Sequence, residues 1–241
     1  MFETMFYRTS LWLHSHRVSW LVEELIPVAK KHFKTFNPRK SIAIALVHDD
    51  AEIVTGDYQA GHKAIMSKAQ LAKIKKEETS AIRELLKRYP AEVEEFVYSD
   101  LLYDAMEWRS LEAQVVVYAD KLDAYCESIH EVLGGNISFI RAVIFYNKML
   151  ANFEKKYPKL QLLLKDQDSP LTNLDKCLNP MKIKISNYKV FNKPHTKQSI
   201  KALTEFPFYN IWRKITIQRF GNEGLKVLIE QKEFLSKIFN K

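Results

Sequence analysis

The chain has 241 residues, 46% of them hydrophobic, with only six glycines and eight prolines, which supports a buried core and argues against a β-sandwich or a disordered chain. Its two cysteines, Cys126 and Cys177, have no metal-like spacing, no apolar run approaches a membrane span, and the N-terminus lacks the basic start and long apolar core of a signal peptide, so a reduced, cytoplasmic protein is expected. The net charge of +8 is unevenly placed: residues 1–150 carry 19 Lys+Arg against 21 Asp+Glu, and residues 151–241 carry 18 against 8. A basic half of this kind either meets phosphate or an acidic partner, or is a lysine-rich solvated surface, and charge alone favours the second.

In chain order, Leu11 to His32 reads as a helix, with Leu11, Val18, Leu21, Val22, Leu25 and Val28 near helical spacing, Ser10 as N-cap and Pro27 as a kink or break. Asn37-Pro38 is a turn and a fresh helix start. The next helix is apolar nearly all round at Ile42 to Val47, the pattern of a buried centre. It runs into His48-Asp49-Asp50-Ala51-Glu52-Ile53-Val54-Thr55-Gly56-Asp57. If the helix continues there, His48 and Glu52 are four apart and Asp49 and Glu52 three apart, so one helix end presents all three.

Tyr58 to Lys63 reads as a polar loop, Ser67 to Arg88 as a charged helix, and Pro90 as the start of a short helix to Val97. Met106 to Leu133 reads as one long helix whose apolar stretch is interrupted by Asp120, an acid that needs a partner or a task. Asn136 is expected to cap a helix from Ile137 to Lys156. From Tyr157 the helical period fades; Lys182 to Val190 alternates like a short strand, and Pro207 to Phe239 regains helical spacing. The fold class expected is all-α, a helical bundle over residues 1–157 followed by a basic extension of mixed character over 158–241.

Four groups at 48–57 are too few for a good metal site, because a divalent ion held by histidine and carboxylate wants a further histidine and a further acid. His14-Ser15-His16 upstream and Asp120 downstream supply them, although His14 and His16 lie two apart and a helix cannot aim both at one ion.

The order His…His-Asp…Asp resembles the HD-domain phosphohydrolase superfamily. His48-Asp49-x-x-Glu52-x-x-x-Gly56-Asp57 is similar to the HD-domain 5′-deoxynucleotidases, as are His14-Ser15-x-x-Val18 and Ala119-Asp120-x-Leu122-x-Ala124-Tyr125 with Gly135-Asn136. The resemblance runs from about residue 8 to 157 and selects His14 over His16. It implies that His14, His48, Asp49 and Asp120 bind one divalent transition metal ion (Co, Mn, Fe, Zn or Ni). It implies Glu52 as general acid/base beside the attacking water, and Asp57 as a group positioning sugar or water. Arg17, Lys63 and Lys121 are candidates for contacts to phosphate. Gln59-Ala60-Gly61 replaces a Pro-x-Pro that commonly precedes the lysine in the family.

The implied activity is removal of the 5′-phosphate from (deoxy)nucleoside monophosphates by metal-activated water. The alternatives are hydrolysis of a dNTP or an alarmone, or a basic nucleic-acid-binding or scaffold protein without catalysis. The partners implied are a small-molecule nucleotide and a second copy of the chain, with no membrane; nucleic acid belongs to the last alternative.

Overall fold

In the computed structural model, residues 5, 9–58, 60–133, 136–170 and 207–220 are described. They are almost entirely helical, as expected of an all-α chain: α1 (Leu11–His32), α2 (Pro38–Val47), α3 (Glu52–Thr55), α4 (Ala60–Lys63), α5 (Lys68–Leu85), α6 (Tyr98–Glu107), α7 (Leu111–Leu133), α8 (Ile140–Lys156), α9 (Gln161–Lys165) and α10 (Pro207–Phe220). A two-residue hairpin, β1 (Glu92–Val93) and β2 (Phe96–Val97), precedes α6. Among these residues no helix is long and apolar enough to cross a membrane. The strand expected at 182–190, the helix beyond Phe220 and Cys177 lie outside the described residues.

The chain divides into two compact units, one of Ser10–Ile26 with Phe33–Ala119, the other of Met1–Thr9, Pro27–His32 and Asp120–Lys241. Both boundaries within helices fall inside α1 and α7, so each unit holds part of the same two rods.

In the unit containing residues 10–26 and 33–119, Ser10 caps α1 through a bond from the Leu13 N–H to its Oγ, 3.2 Å. Val18, Leu21, Val22 and Leu25 form the buried stripe of α1. Asn37 caps α2, its Oδ1 accepting from the Lys40 N–H at 3.1 Å, and its own N–H donates to buried Glu112 at 2.7 Å. α2 packs against α6, where Lys40 pairs with Asp104 at 2.6 Å. Burial pushes the Asp104 carboxyl up, but the Lys40 pair and the Ser110 N–H bond outweigh it and hold the group below its usual range. α5 begins at a reciprocal capping box between Ser67 and Gln70, and α3 packs against α5.

Several local expectations need correction. Pro27 does not split α1: buried Leu25, Val28 and Ala29 flank it, and their packing outweighs a proline cost of about 3 kcal/mol. Residues 92–97 form the hairpin rather than a helix, with Glu94 at φ 56° in its turn and Arg39 bridging Glu94 and Glu95 at 3.1 and 2.6 Å. The run from Met106 breaks at Trp108, which adopts a left-handed conformation (φ 56°, ψ 39°). The Ser110 N–H donates to Asp104 Oδ1 at 2.8 Å and Ser110 Oγ accepts from Ala113 at 3.1 Å, so Ser110 starts α7 afresh. Residues 158–165, where the helical period fades, are helical, a 3₁₀ turn at Pro158–Leu160 leading into α9, and a 3₁₀ turn at Ile137–Phe139 likewise precedes α8.

In the other unit, Leu122, Tyr125, Cys126 and Ile129 of α7 are buried together with Val143, Leu150 and Phe153 of α8. Cys126 is a fully buried small hydrophobe, as its setting suggests. Asp166, after α9, accepts from His32 Nε2 at 2.6 Å and pairs with Lys31 at 3.0 Å, fixing the end of α1.

Candidate metal centre

α2 ends at Val47, and His48 is its C-cap in helical conformation (φ −59°, ψ −29°). Asp49, Asp50 and Ala51 make a turn, and Glu52 opens the one-turn helix α3. The His48-to-Glu52 stretch is therefore a helix end and a new helical turn, tightened by the bond from the Glu52 N–H to the Asp49 carbonyl at 2.8 Å. Gly56 ends α3 at φ 74°, a conformation that costs L-residues and suits glycine, and its N–H returns to the Glu52 carbonyl at 2.8 Å.

His48 Nδ1 lies 2.8 Å from the Ala45 carbonyl. A carbonyl only accepts, so Nδ1 carries the proton and the lone pair of a neutral ring sits on Nε2. That Nε2 is buried and makes no hydrogen bond. It lies 3.3 Å from Asp49 Oδ2, and His14 Nε2 lies 3.2 Å from the same oxygen. The two imidazole centroids are 5.3 Å apart. Two imidazole nitrogens thus face one carboxylate oxygen, a grouping that could hold a metal ion.

The donor set fits such an ion. Two imidazole nitrogens with carboxylate oxygens suit a divalent transition metal. The backbone bond at Nδ1 is the outer partner that fixes a ligating histidine's tautomer. An unpartnered, buried nitrogen facing a carboxylate is costly without a proton or a cation between them.

Glu52 is half-buried, and its carboxyl is pushed up to about 8, first by burial and then by the negative charges of Asp49 and Asp57, with Lys63 and His14 pulling the other way. Asp57 is exposed just beyond Gly56. Tyr58 donates to Glu77 at 2.9 Å and Lys63 pairs with Glu78 at 3.0 Å, so the segment after Asp57 is tied to α5. It holds the short helix α4 instead of the loop expected there.

The other sequence candidates fall as follows. His16 is half-buried, with Nδ1 at 2.8 Å from the Trp12 carbonyl and its ring against Trp12, and it is no member of the grouping. Arg17 is buried on α1, whereas Lys121 pairs with the neighbouring Asp120. His130 is buried beside Tyr209.

Tyr98 was not legible as part of this surrounding. Its hydroxyl donates to Asp50 Oδ2 at 2.6 Å, anchoring the turn next to Asp49 from the first residue of α6. Burial raises the Asp50 carboxyl despite that bond. Nothing in the sequence pairs positions 48 residues apart; the only signal is a tyrosine at a helix start.

The sequence profile of the YfbR-like 5′-deoxynucleotidases matches residues 2–166. A 4′-phosphooxetanocin A phosphatase of Priestia megaterium is 34% identical over 145 residues, 58% of this chain and 70% of that protein. A 5′-deoxynucleotidase of Vibrio parahaemolyticus is 30% identical over 153 residues, 63% of this chain and 76% of that one. Another 5′-deoxynucleotidase, of Cronobacter sakazakii, is 30% identical over 171 residues, 66% of this chain and 84% of that one. With a profile match over residues 2–166, more than half of its length, the chain belongs to the YfbR-like 5′-deoxynucleotidase family.

Proposed function

We propose that this protein is a metal-dependent phosphohydrolase that removes the 5′-phosphate from nucleoside monophosphates, favouring deoxyribonucleotides. The observation that supports the reading is the buried Nε2 of His48, which makes no hydrogen bond and lies with His14 Nε2 against Asp49, in a chain of this family. His14, His48, Asp49 and Asp120 would hold the ion. A divalent cation there supplies Lewis acidity, making water a nucleophile near neutral pH and offsetting charge on phosphoryl oxygens.

Glu52 takes the proton of the attacking water and returns it to the leaving 5′-oxygen. Its half-buried position between Asp49 and Asp57 gives it a high proton affinity, the property a group exchanging protons near neutral pH requires. Asp57 orients the sugar or the water from beyond Gly56. Lys63, Lys121 and Arg17 are the cations assigned to the phosphate oxygens, where positive charge stabilises the transition state. Lys63 would exchange its Glu78 partner for phosphate, and Lys121 its Asp120 partner. In this reading residues 1–157 are the catalytic domain and 158–241 a basic extension, working as a homodimer in the cytoplasm.

The test is a panel of deoxy- and ribonucleoside 5′-monophosphates, 3′-monophosphates and triphosphates, incubated with the full chain and Mn²⁺ or Co²⁺ and resolved by ion chromatography. Orthophosphate from 5′-monophosphates, fastest from the deoxy forms, is the expected result. Pyrophosphate or tripolyphosphate from the triphosphates, with monophosphates untouched, overturns the substrate assignment. Absence of any phosphate release overturns the activity.

A further inference from the structure

The helix α10 lies beyond residue 166, where the family match ends, yet it is joined to the helix that carries Asp120. Trp212 Nε1 donates to Asp123 Oδ1 at 2.6 Å, and the hydroxyl of Tyr209 lies 3.1 Å from His130 Nδ1. All four side chains are buried: Asp123 and Tyr209 are 0% exposed, His130 3% and Trp212 4%. Tyr209 and Trp212 are three apart on α10 and their rings stack at 5.7 Å, while Asp123 and His130 are seven apart on α7. Both spacings keep each pair on one helix face. The His130 ring also packs against Trp212, 5.6 Å between centroids.

Two polar contacts, two turns apart on α7 and about one turn apart on α10, set both the height and the rotation of α7 against α10, which a smooth apolar contact would not. Asp123 follows Asp120 by three residues, so the carboxylate held by Trp212 is one turn from the carboxylate assigned to the ion. We infer that α10 is a brace on α7, with Trp212 and Tyr209 as positioning residues that set where Asp120 presents its oxygen. This inference rests on the metal reading above. It gives part of the basic C-terminal region a task that its charge does not disclose: the contact is made by an indole and a phenol, not by lysine.

The test uses the full chain with Trp212→Phe, and Tyr209→Phe as a second variant should the first fold poorly. Tyr209→Phe removes only a hydroxyl, whereas Trp212→Phe keeps one aromatic ring and removes the N–H together with part of the indole. Affinity for Mn²⁺ is measured by titration calorimetry, and amide hydrogen exchange is followed across α7 in metal-free protein. The expected result is weaker Mn²⁺ binding by about tenfold, the lower end for losing a group that supports a ligand, with faster exchange around residues 117–124. Val143→Ala on α8, buried in the same unit, serves as control: it lowers the melting temperature and leaves Mn²⁺ affinity unchanged. Trp212→Phe and Tyr209→Phe that behave like this control, with wild-type Mn²⁺ affinity and unchanged exchange around Asp120, overturn the brace. Failure of the wild-type protein to bind Mn²⁺ would instead remove the metal reading, and the exchange comparison still decides whether α10 braces α7.

Discussion

Nε2 of His48 stands 3.3 Å from Oδ2 of Asp49 without a hydrogen bond, because the ring's proton is committed to the Ala45 carbonyl on the opposite side. A lone pair and a carboxylate at that separation leave a place for a cation. His48→Ala should therefore weaken Mn²⁺ binding by more than the 10–100-fold that loss of an outer partner costs. The check is the melting temperature with and without the ion. Binding to the wild type at 100 times the dissociation constant adds about 2.7 kcal/mol of stability, and the variant should lose nearly all of that gain.

Glu52→Gln keeps the shape and burial of the side chain and removes its capacity to exchange a proton. A drop in kcat of about 10²–10⁴-fold is expected, the range for a general acid/base, with KM changed little. Steady-state kinetics on a 5′-deoxynucleotide, alongside unchanged Mn²⁺ affinity, make the check. Wild-type turnover in this variant would remove Glu52 from the reaction.

Asp166 makes stability depend on pH at the acid end. The N–H of Asp168, then the Lys31 ammonium and the His32 ring, hold its carboxyl down at about 2, from an ordinary 3.8. A carboxylate whose folded value is depressed stabilises the native state fully above its unfolded value, and that contribution fades as pH falls from about 4 to about 2. Asp166→Asn should lower the melting temperature at neutral pH and flatten the acid limb within that window, measured as the difference between wild-type and variant melts. Parallel acid limbs would show that the Lys31–Asp166–His32 cluster contributes nothing.

The contiguous part of the centre was readable because its chemistry is written within ten residues, from His48 to Asp57. Asp120 was readable because an acid inside Val115 to Leu122 contradicts its surroundings. Asp123, only one turn farther and fully buried, was not, since its partner Trp212 lies 89 residues away in a region whose basic composition hides an apolar face. The hairpin at 92–97 and the break at Trp108 escaped as well. Arg39 bridges the hairpin from more than fifty residues away, and the break at Trp108 rests on one bond from the Ser110 N–H to the Asp104 side chain, which helical periodicity does not register. Arg17 stands beside apolar Val18, and its turn of α1 faces inward.

The most direct test of the centre is a crystal of the full chain grown with Mn²⁺, with diffraction recorded for anomalous scattering. One strong peak within about 2.0–2.2 Å of His14 Nε2, His48 Nε2 and carboxylate oxygens of Asp49 and Asp120 is the predicted result. Phosphate release by a protein whose only bound ion lies away from these four residues would contradict it.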